Sequence, residues 1–474
     1  MAGSDHHETE SAHPLLPHER IWCPRDLMLV SISTSVATWC FLMGGFVGYY
    51  LNSKMGIAAL TAGSMIGMLL ISLAVIPAAA KYGIESVTSA KPFFGNRGWV
   101  LALILQYLSV IGWNSILLIF FAKSATRMLI VTGVIDESMS SIAIGSLSIL
   151  AVITIWLLLK RGASAVKNLS AILAILIILV GIWIFFMIVK NFGFQAIITA
   201  KPLAPSGNLV WNYATGIEVG IVSLMSWWPY VGGIVRISPK TSQTTIPAML
   251  GLGLPVALMS IIGLLSVLLI GDPDPTSWMV ELGGVAYGSL ALSFIAFANF
   301  GSALIGVYIS CIGLRNLETF RKKSWNLTTM AALVPVGLVA VFIPELFFLR
   351  FGNFLAFLGV LFAPLVGIQI VDYFVFRKKQ LNIKDLYNTN SASSYSFWKG
   401  WNPASIIALL CGFVTYFYLL NPITYESRIP YQYLTATLPT MAIGAIVYWL
   451  ITRFVIIPLG WGGYTKFTSK KPEK

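Results

Sequence analysis

An all-helical membrane protein of about twelve spans is the fold class this sequence predicts, and three observations predict it. Of the 474 residues, 57% are hydrophobic and only 10% charged, with a mean hydropathy of +0.81. A soluble domain carries about 25% charged side chains, so this chain lacks the charge to face water on all sides. Twelve apolar runs approach the roughly 20 residues that a helix needs to cross a bilayer. These runs are continuous, whereas barrel strands alternate over about ten residues, and only helices or closed barrels satisfy their backbone in lipid.

The spans read, in order, 26–51, 55–80, 99–131, 140–159, 166–189 and 210–231, then 246–270, 285–313, 327–348, 354–376, 404–420 and 434–457. The first contains ISTSVATW, where Ser33, Thr34, Ser35 and Thr38 cluster beside Trp39. Small hydroxyl residues either pack helices or compensate an unwound turn. The third carries Trp113 and Asn114 mid-span, where Trp is unusual and an amide is costly unless it faces a cavity or a partner. The sixth reads SLMSWWPYVGGIVRISPK, and Pro229 with Gly232 and Gly233 predicts an end or kink near the proline. Connections are short, except for 81–98, 316–326 and 377–403. The first of these either packs on the inner mouth or is a solvated turn. The expected organisation is a polar tail 1–25, a transport core 26–376, a loop 377–403, two accessory helices 404–457 and a basic tail 458–474.

The net charge of +13 orients the chain rather than binding nucleic acid. With the N-terminus inside, 24 of the 31 lysines and arginines fall in cytoplasmic segments, leaving Lys54, Lys123, Arg127, Lys190, Lys201, Arg350 and Arg428 elsewhere. That is the positive-inside pattern, and an even span count places both termini in the cytoplasm of a cell-membrane protein. Cys23, Cys40, Cys311 and Cys411 form no CxxC pair and read as apolar thiols. All four histidines lie in the first twenty residues, so none serves a membrane proton relay or a metal site. No cleavable leader and no GxxxxGK[ST] phosphate loop is present. Nothing calls for covalent chemistry, a cofactor or an obligate protein partner.

The tenth span and its exit read LFAPLVGIQIVDYFVFRKKQLNIKDLY, followed by YSFWKGWNPAS. Pro364, Gly367, Asp372–Tyr373–Phe374, Arg377–Lys378, Asp385–Leu386–Tyr387, Trp398–Lys399–Gly400 and Asn402 are spaced as in the nucleobase:cation symporter-1 family, which the chain resembles. FFGNRG, WWPYVGGIVRISPKTS and ANFGSALIGVY support the resemblance from the first span to the eleventh. It implies a LeuT-like fold, two inverted five-helix repeats plus two accessory helices. It also implies import of a nucleobase, ureide or similar heterocycle with a proton or sodium ion, by alternating access. Asp372 and Arg377 read as an anchoring ion pair at the membrane exit.

A planar heterocycle needs aromatic faces to stack on and a few amides or hydroxyls to read its edge. By resemblance, Trp113 occupies the family's ring-stacking position. Asn114, Ser223, Ser226, Trp227 or Trp228, and Asn299 are the further expected substrate contacts. Ser35 and Ser302 are candidate sodium ligands. Departures from the family pattern fall at Leu117, Gly233, Ala303 and Gly306, where amides or an acid are common. They keep open a non-transporting sensor on the same fold, and an amino-acid or amine transporter is a third reading. Glu218 is a carboxylate inside the sixth span; burial there disfavours its charged form, as a proton carrier requires. Its alternative is a helix-start acid near the outer mouth.

Overall fold

A computed structural model of the chain describes residues 13–160, 164–239, 241–388 and 393–464. The first twelve residues of the polar tail, with His6 and His7, lie outside the described residues, as do Arg161, Lys240 and the basic residues from 466 onward. The helices are α1 Pro24–Ser35, α2 Thr38–Gly48, α3 Ser53–Tyr82, α4 Ser86–Phe94, α5 Val100–Val131, α6 Ser140–Leu159, α7 Ser164–Thr199 and α8 Leu209–Met225. They continue as α9 Trp228–Val235, α10 Thr245–Ile270, α11 Pro275–Leu314, α12 Trp325–Phe342, α13 Pro344–Leu349, α14 Phe351–Ile370, α15 Pro403–Leu419 and α16 Thr437–Ile451. Each of the twelve apolar runs falls on this set. Nine helices among the described residues are long and apolar enough to cross a membrane, and the pair α1–α2, bent by 60°, makes a tenth. The other two runs form α8 and α15, shorter apolar helices.

The order of parts repeats. A broken span (α1/α2), a long span (α3), a short helix (α4) and another long span (α5) are matched by α8/α9, α10, the first turns of α11 and its remainder. Gly284, with φ of 64° inside α11, separates those first turns from the span. Packing follows the repeat: α3 lies on α8, α10 on α2, and α5 along α11. Each half thereby buries the broken span of the other, the exchange that an inverted repeat requires.

The breaks have local causes. At the first, Val36 and Ala37 are extended between two helices. At the second, α8 ends at Met225 and α9 starts at Trp228, which puts Pro229 at the second residue of a helix. Its missing amide is tolerated there, while its ring clashes with the carbonyl one turn earlier. The break therefore precedes the proline by three residues.

The two ends of the bundle differ. At the N-terminal face, the Leu15 amide donates to Gly83 O (2.9 Å) and Arg20 Nη1 to Ala80 O (3.1 Å). Helix α4 packs beneath the bundle with all nine residues buried, so the 81–98 connection is built into the fold rather than a solvated turn. Arg377 and Asp372 pair there at 2.7 Å and are fully buried. Tyr448 and Tyr464 donate to the same carboxylate, and Arg377 Nη2 donates to Pro92 O at 2.6 Å. The ion pair thus ties α14, α16, α4 and the chain's last described residue together. At the opposite face, Lys123 of α5 pairs with Asp274 (2.8 Å) and Glu345 (3.4 Å), linking the ends of α5, α11 and α13.

Candidate functional site

Between the two breaks lies a pocket lined by Thr34, Trp39, Trp113, Asn114, Leu117, Trp227, Tyr230, Ile234, Ser302, Ile305, Gly306 and Ile309. No Asp, Glu, Lys or Arg among the described residues lines it. Three tryptophans from three spans wall it: Trp39 meets Trp113 edge-on at 4.9 Å between centroids and lies 6.5 Å from Trp227. Trp227 packs on Tyr230 at 5.3 Å. The Trp113 indole is fixed from behind, because its Nε1 donates to Ser226 Oγ at 3.0 Å and Phe354 packs on its ring at 5.3 Å. Ser226 Oγ itself donates to Ser223 O. The broken sixth span thereby sets the orientation of the third-span ring.

Asn114 is 1% exposed, and neither its Oδ1 nor its Nδ2 has a hydrogen-bond partner. A buried amide left unpaired costs about 1–3 kcal/mol, and this one lies on the pocket wall. Its room comes from Gly306: a Cβ there would overlap the carboxamide. The amides expected on the eighth span are missing at Ala303 and Gly306, and the space so left is filled by an amide from the third span.

Of the expected contacts, Trp113, Asn114, Trp227 and Ser302 meet at the pocket, whereas Ser223, Ser226, Asn299 and Ser35 do not line it. Ser223 and Ser226 stand behind Trp113. Asn299 braces the first break, donating from Nδ2 to Thr38 Oγ1 (2.6 Å) and accepting the Thr38 amide at Oδ1 (3.3 Å). It supplies the bonds that the unwound turn lost. Ser35 Oγ donates to Ile32 O (3.1 Å) and Gly251 O (3.2 Å), fastening α1 to α10. Trp228 turns away, its Nε1 donating to Gln369 Oε1 at 2.7 Å, so Trp227 is the tryptophan at the pocket. Trp39 and Tyr230 were not among the expected contacts. Trp39 carried the same signal as Trp113, a tryptophan in mid-span beside small polar residues.

Glu218 lies away from the pocket. Its Oε1 accepts from Tyr416 OH (2.8 Å) and Thr437 Oγ1 (2.7 Å), and its Oε2 accepts from the amides of Ala436 (3.2 Å) and Thr437 (3.1 Å). The carboxylate therefore caps the first turn of α16, where a helix presents unpaired N–H groups. It joins α8 to both accessory helices.

The central pocket measures about 40 Å³ and shares Thr34, Ile234, Ile305 and Ile309 with a cavity of about 360 Å³ towards the N-terminal face. A water needs about 10–15 Å³, so the central pocket holds about three waters and the larger cavity many more. A Cβ at Gly233, on the larger cavity's wall, would meet nothing within 4 Å. The path is thus open to one face and closed to the other.

Two inverted repeats with broken helices around a central pocket, open to one side, define a secondary transporter. Comparison with known proteins agrees. Residues 14–452 match the family described as permease for cytosine/purines, uracil, thiamine, allantoin. The chain belongs to that family of multi-pass membrane permeases. It is 23% identical over 466 residues to the purine-uracil permease NCS1 of Arabidopsis thaliana, covering 92% of this chain and 76% of that one. With the hydantoin permease of Microbacterium maritypicum it shares 23% identity over 425 residues, 84% of this chain and 82% of that one. In fold it is similar to Mhp1, a nucleobase-cation-symport-1 family transporter, in a closed conformation with bromovinylhydantoin bound. That likeness has a TM-score of 0.75 at 17% identity, covering 94% of this chain and 95% of the other. The inward-facing conformation of Mhp1 gives a TM-score of 0.72 at 17% identity, covering 98% of each chain.

Proposed function

We propose that this permease imports a small planar heterocycle with a lactam or ureide edge, such as a nucleobase or hydantoin, by cation symport through alternating access. The observation that carries this reading is Asn114, a fully buried and unpaired amide facing a pocket walled by Trp39, Trp113 and Trp227. Indole faces suit a flat ring, and a carboxamide offers one donor and one acceptor to an N–H/C=O edge. The filling of the Gly306 space by Asn114 supports a re-sited reader rather than a lost one, which favours transport over a sensor. The uncharged pocket speaks against an amino acid or amine.

The lysine and arginine distribution supports an N-terminal face in the cytoplasm, so the open cavity is the release side. For the cation, the backbone released at Val36–Ala37 and the Ser302 hydroxyl supply hard oxygen atoms of the kind sodium takes. The four donors on Glu218 argue for a structural carboxylate rather than a proton carrier. In the same reading, residues 26–376 form the moving core, and 404–457 are braced against it by Glu218.

Uptake of radiolabelled uracil, hypoxanthine, hydantoin and allantoin into proteoliposomes, under imposed sodium or pH gradients, tests this. Accumulation of at least one under a sodium gradient is expected, together with its loss in Asn114→Leu. Binding without accumulation would leave the sensor standing, and accumulation driven only by a pH gradient would restore Glu218 as carrier.

A further inference from the structure

The larger cavity contains a second amide in the same predicament. Gln106 lies on α5 roughly two turns before Asn114, is 2% exposed, and its Oε1 has no hydrogen-bond partner. Gly313 of α11 makes its room, since a Cβ at that position would overlap the Gln106 carboxamide. Gly306 and Gly313 are likewise about two turns apart. Along the α5–α11 seam, one arrangement therefore occurs twice: a side-chain amide on one helix set into the gap left by a glycine on the other. The seam lines the central pocket at Asn114 and the open cavity at Gln106.

Packing alone does not account for Gln106. A leucine or methionine of similar volume would fill the space without the cost of an unpaired acceptor, about 1–3 kcal/mol. The cavity at Gln106 has apolar walls from Ile309 and Ile312, with Tyr308, Trp22, Arg236 and Glu85 also on the wall. The volume here, about 360 Å³, has room for a one- or two-ring heterocycle, which meets the Gln106 carboxamide once that side chain turns towards the cavity. The central pocket, at about 40 Å³, admits such a ring only after its tryptophans part.

We propose that Gln106 and the open cavity form a second binding station for the same ligand class, planar heterocycles with adjacent N–H and C=O groups, occupied once the ring has left Asn114. The inference rests on the proposed function and adds to it a stepwise release route: each amide replaces the hydrogen bonds that the ring gives up. The Gln106 station is the weaker one, because it lacks the three-tryptophan wall.

Equilibrium dialysis of the full chain in lipid nanodiscs, with labelled uracil and separately with labelled hydantoin, tests it. The wild type is expected to show two saturable components. Gln106→Leu removes the weaker and leaves the tighter within about twofold, as independent sites do. Asn114→Leu removes the tighter and keeps the weaker. Gly313→Ala, which displaces the carboxamide without deleting it, repeats the Gln106→Leu result should that variant fold poorly. One component in the wild type, unchanged by Gln106→Leu or Gly313→Ala, overturns the second station and leaves the proposed function intact. Absence of any saturable binding by either probe in the wild type overturns the proposed function, and this inference with it.

Discussion

Two lysines, one half-buried and one buried, at opposite ends of the bundle, are held in opposite ways. Lys123, at the closed end, has carboxylates on two sides, Asp274 and Glu345, and sits 4.3 Å from the Phe348 ring centroid. Lys91 of α4, at the open end, is 7% exposed and forms no ion pair among the described residues. Its ammonium lies instead over the rings of Trp99 (5.1 Å) and Tyr387 (4.9 Å). The contrast extends beyond these two. Around the closed end, polar groups are paired across elements: Glu218 takes four donors, and Asn208 Nδ2 donates to Gln432 Oε1 at 2.9 Å. Along the open path, both polar atoms of Asn114 and the Oε1 of Gln106 are left without a partner. Both ends are cross-linked between elements, the open one by the Arg377–Asp372 cluster, so what separates them is the cavity and the two amides on its route.

Breaking the closed end at its most bonded point has the largest expected effect. Glu218→Gln replaces an acceptor of four hydrogen bonds with a group that is half donor. It should cost about 3–4 kcal/mol of stability, read as a fall in the melting temperature of purified protein, with ligand affinity unchanged. A variant of normal stability whose uptake no longer responds to pH would instead make Glu218 the coupling group.

The open-end lysine comes next. Burial, the main cause, lowers the Lys91 pKa to about 8 from 10.5; Glu85 opposes that shift and Arg321 adds to it. Between those values the unfolded chain binds the proton and the folded chain does not, so stability rises as pH increases through the window, by at most about 3 kcal/mol. Melting curves from pH 7 to 10.5 should show the rise, and Lys91→Met should flatten it. A parallel slope in the variant would assign the effect elsewhere.

Asn114→Leu sharpens the comparison, since it removes a polar group that the fold does not use. Affinity for uracil or hydantoin should fall by about 2 kcal/mol, roughly thirtyfold, while the melting temperature holds or rises. A loss of stability would mean that the amide has a structural partner after all. The smallest effect is expected at the ion cluster: Lys123→Met should loosen the closed end by about 1 kcal/mol, roughly a fivefold shift in population. Thiol labelling of Phe354→Cys from that side should speed up accordingly, and an unchanged rate would show that the ions do not hold the end shut.

How far these features were legible depended on the range of the interactions behind them. The twelve apolar runs could be read because bilayer thickness acts on contiguous sequence. The break before Pro229 was legible to within one turn, since proline acts on its own neighbourhood. Asn114 stood out because any amide in mid-span is costly. Which of Trp227 and Trp228 faces the pocket was not legible, because the choice depends on Gln369, more than a hundred residues away. Asn299 and Glu218 carried the marks of function, polar and buried, yet their partners Thr38, Thr437 and Tyr416 are distant in sequence and satisfy them structurally. Conversely, the Gly306 departure suggested loss, whereas an amide from another span fills the space it leaves.

Gly233 stands on the wall of the larger cavity with vacant space before it. Its neighbours would not have to move to admit a Cβ, so this position is a natural place to install a charge filter. An aspartate there would face every solute that leaves the pocket, favouring cationic cargo and slowing anionic cargo. One substitution, Gly233→Asp, would measure how far selectivity for charge can be separated from recognition of the ring, by comparing uptake of a neutral and an ionised heterocycle.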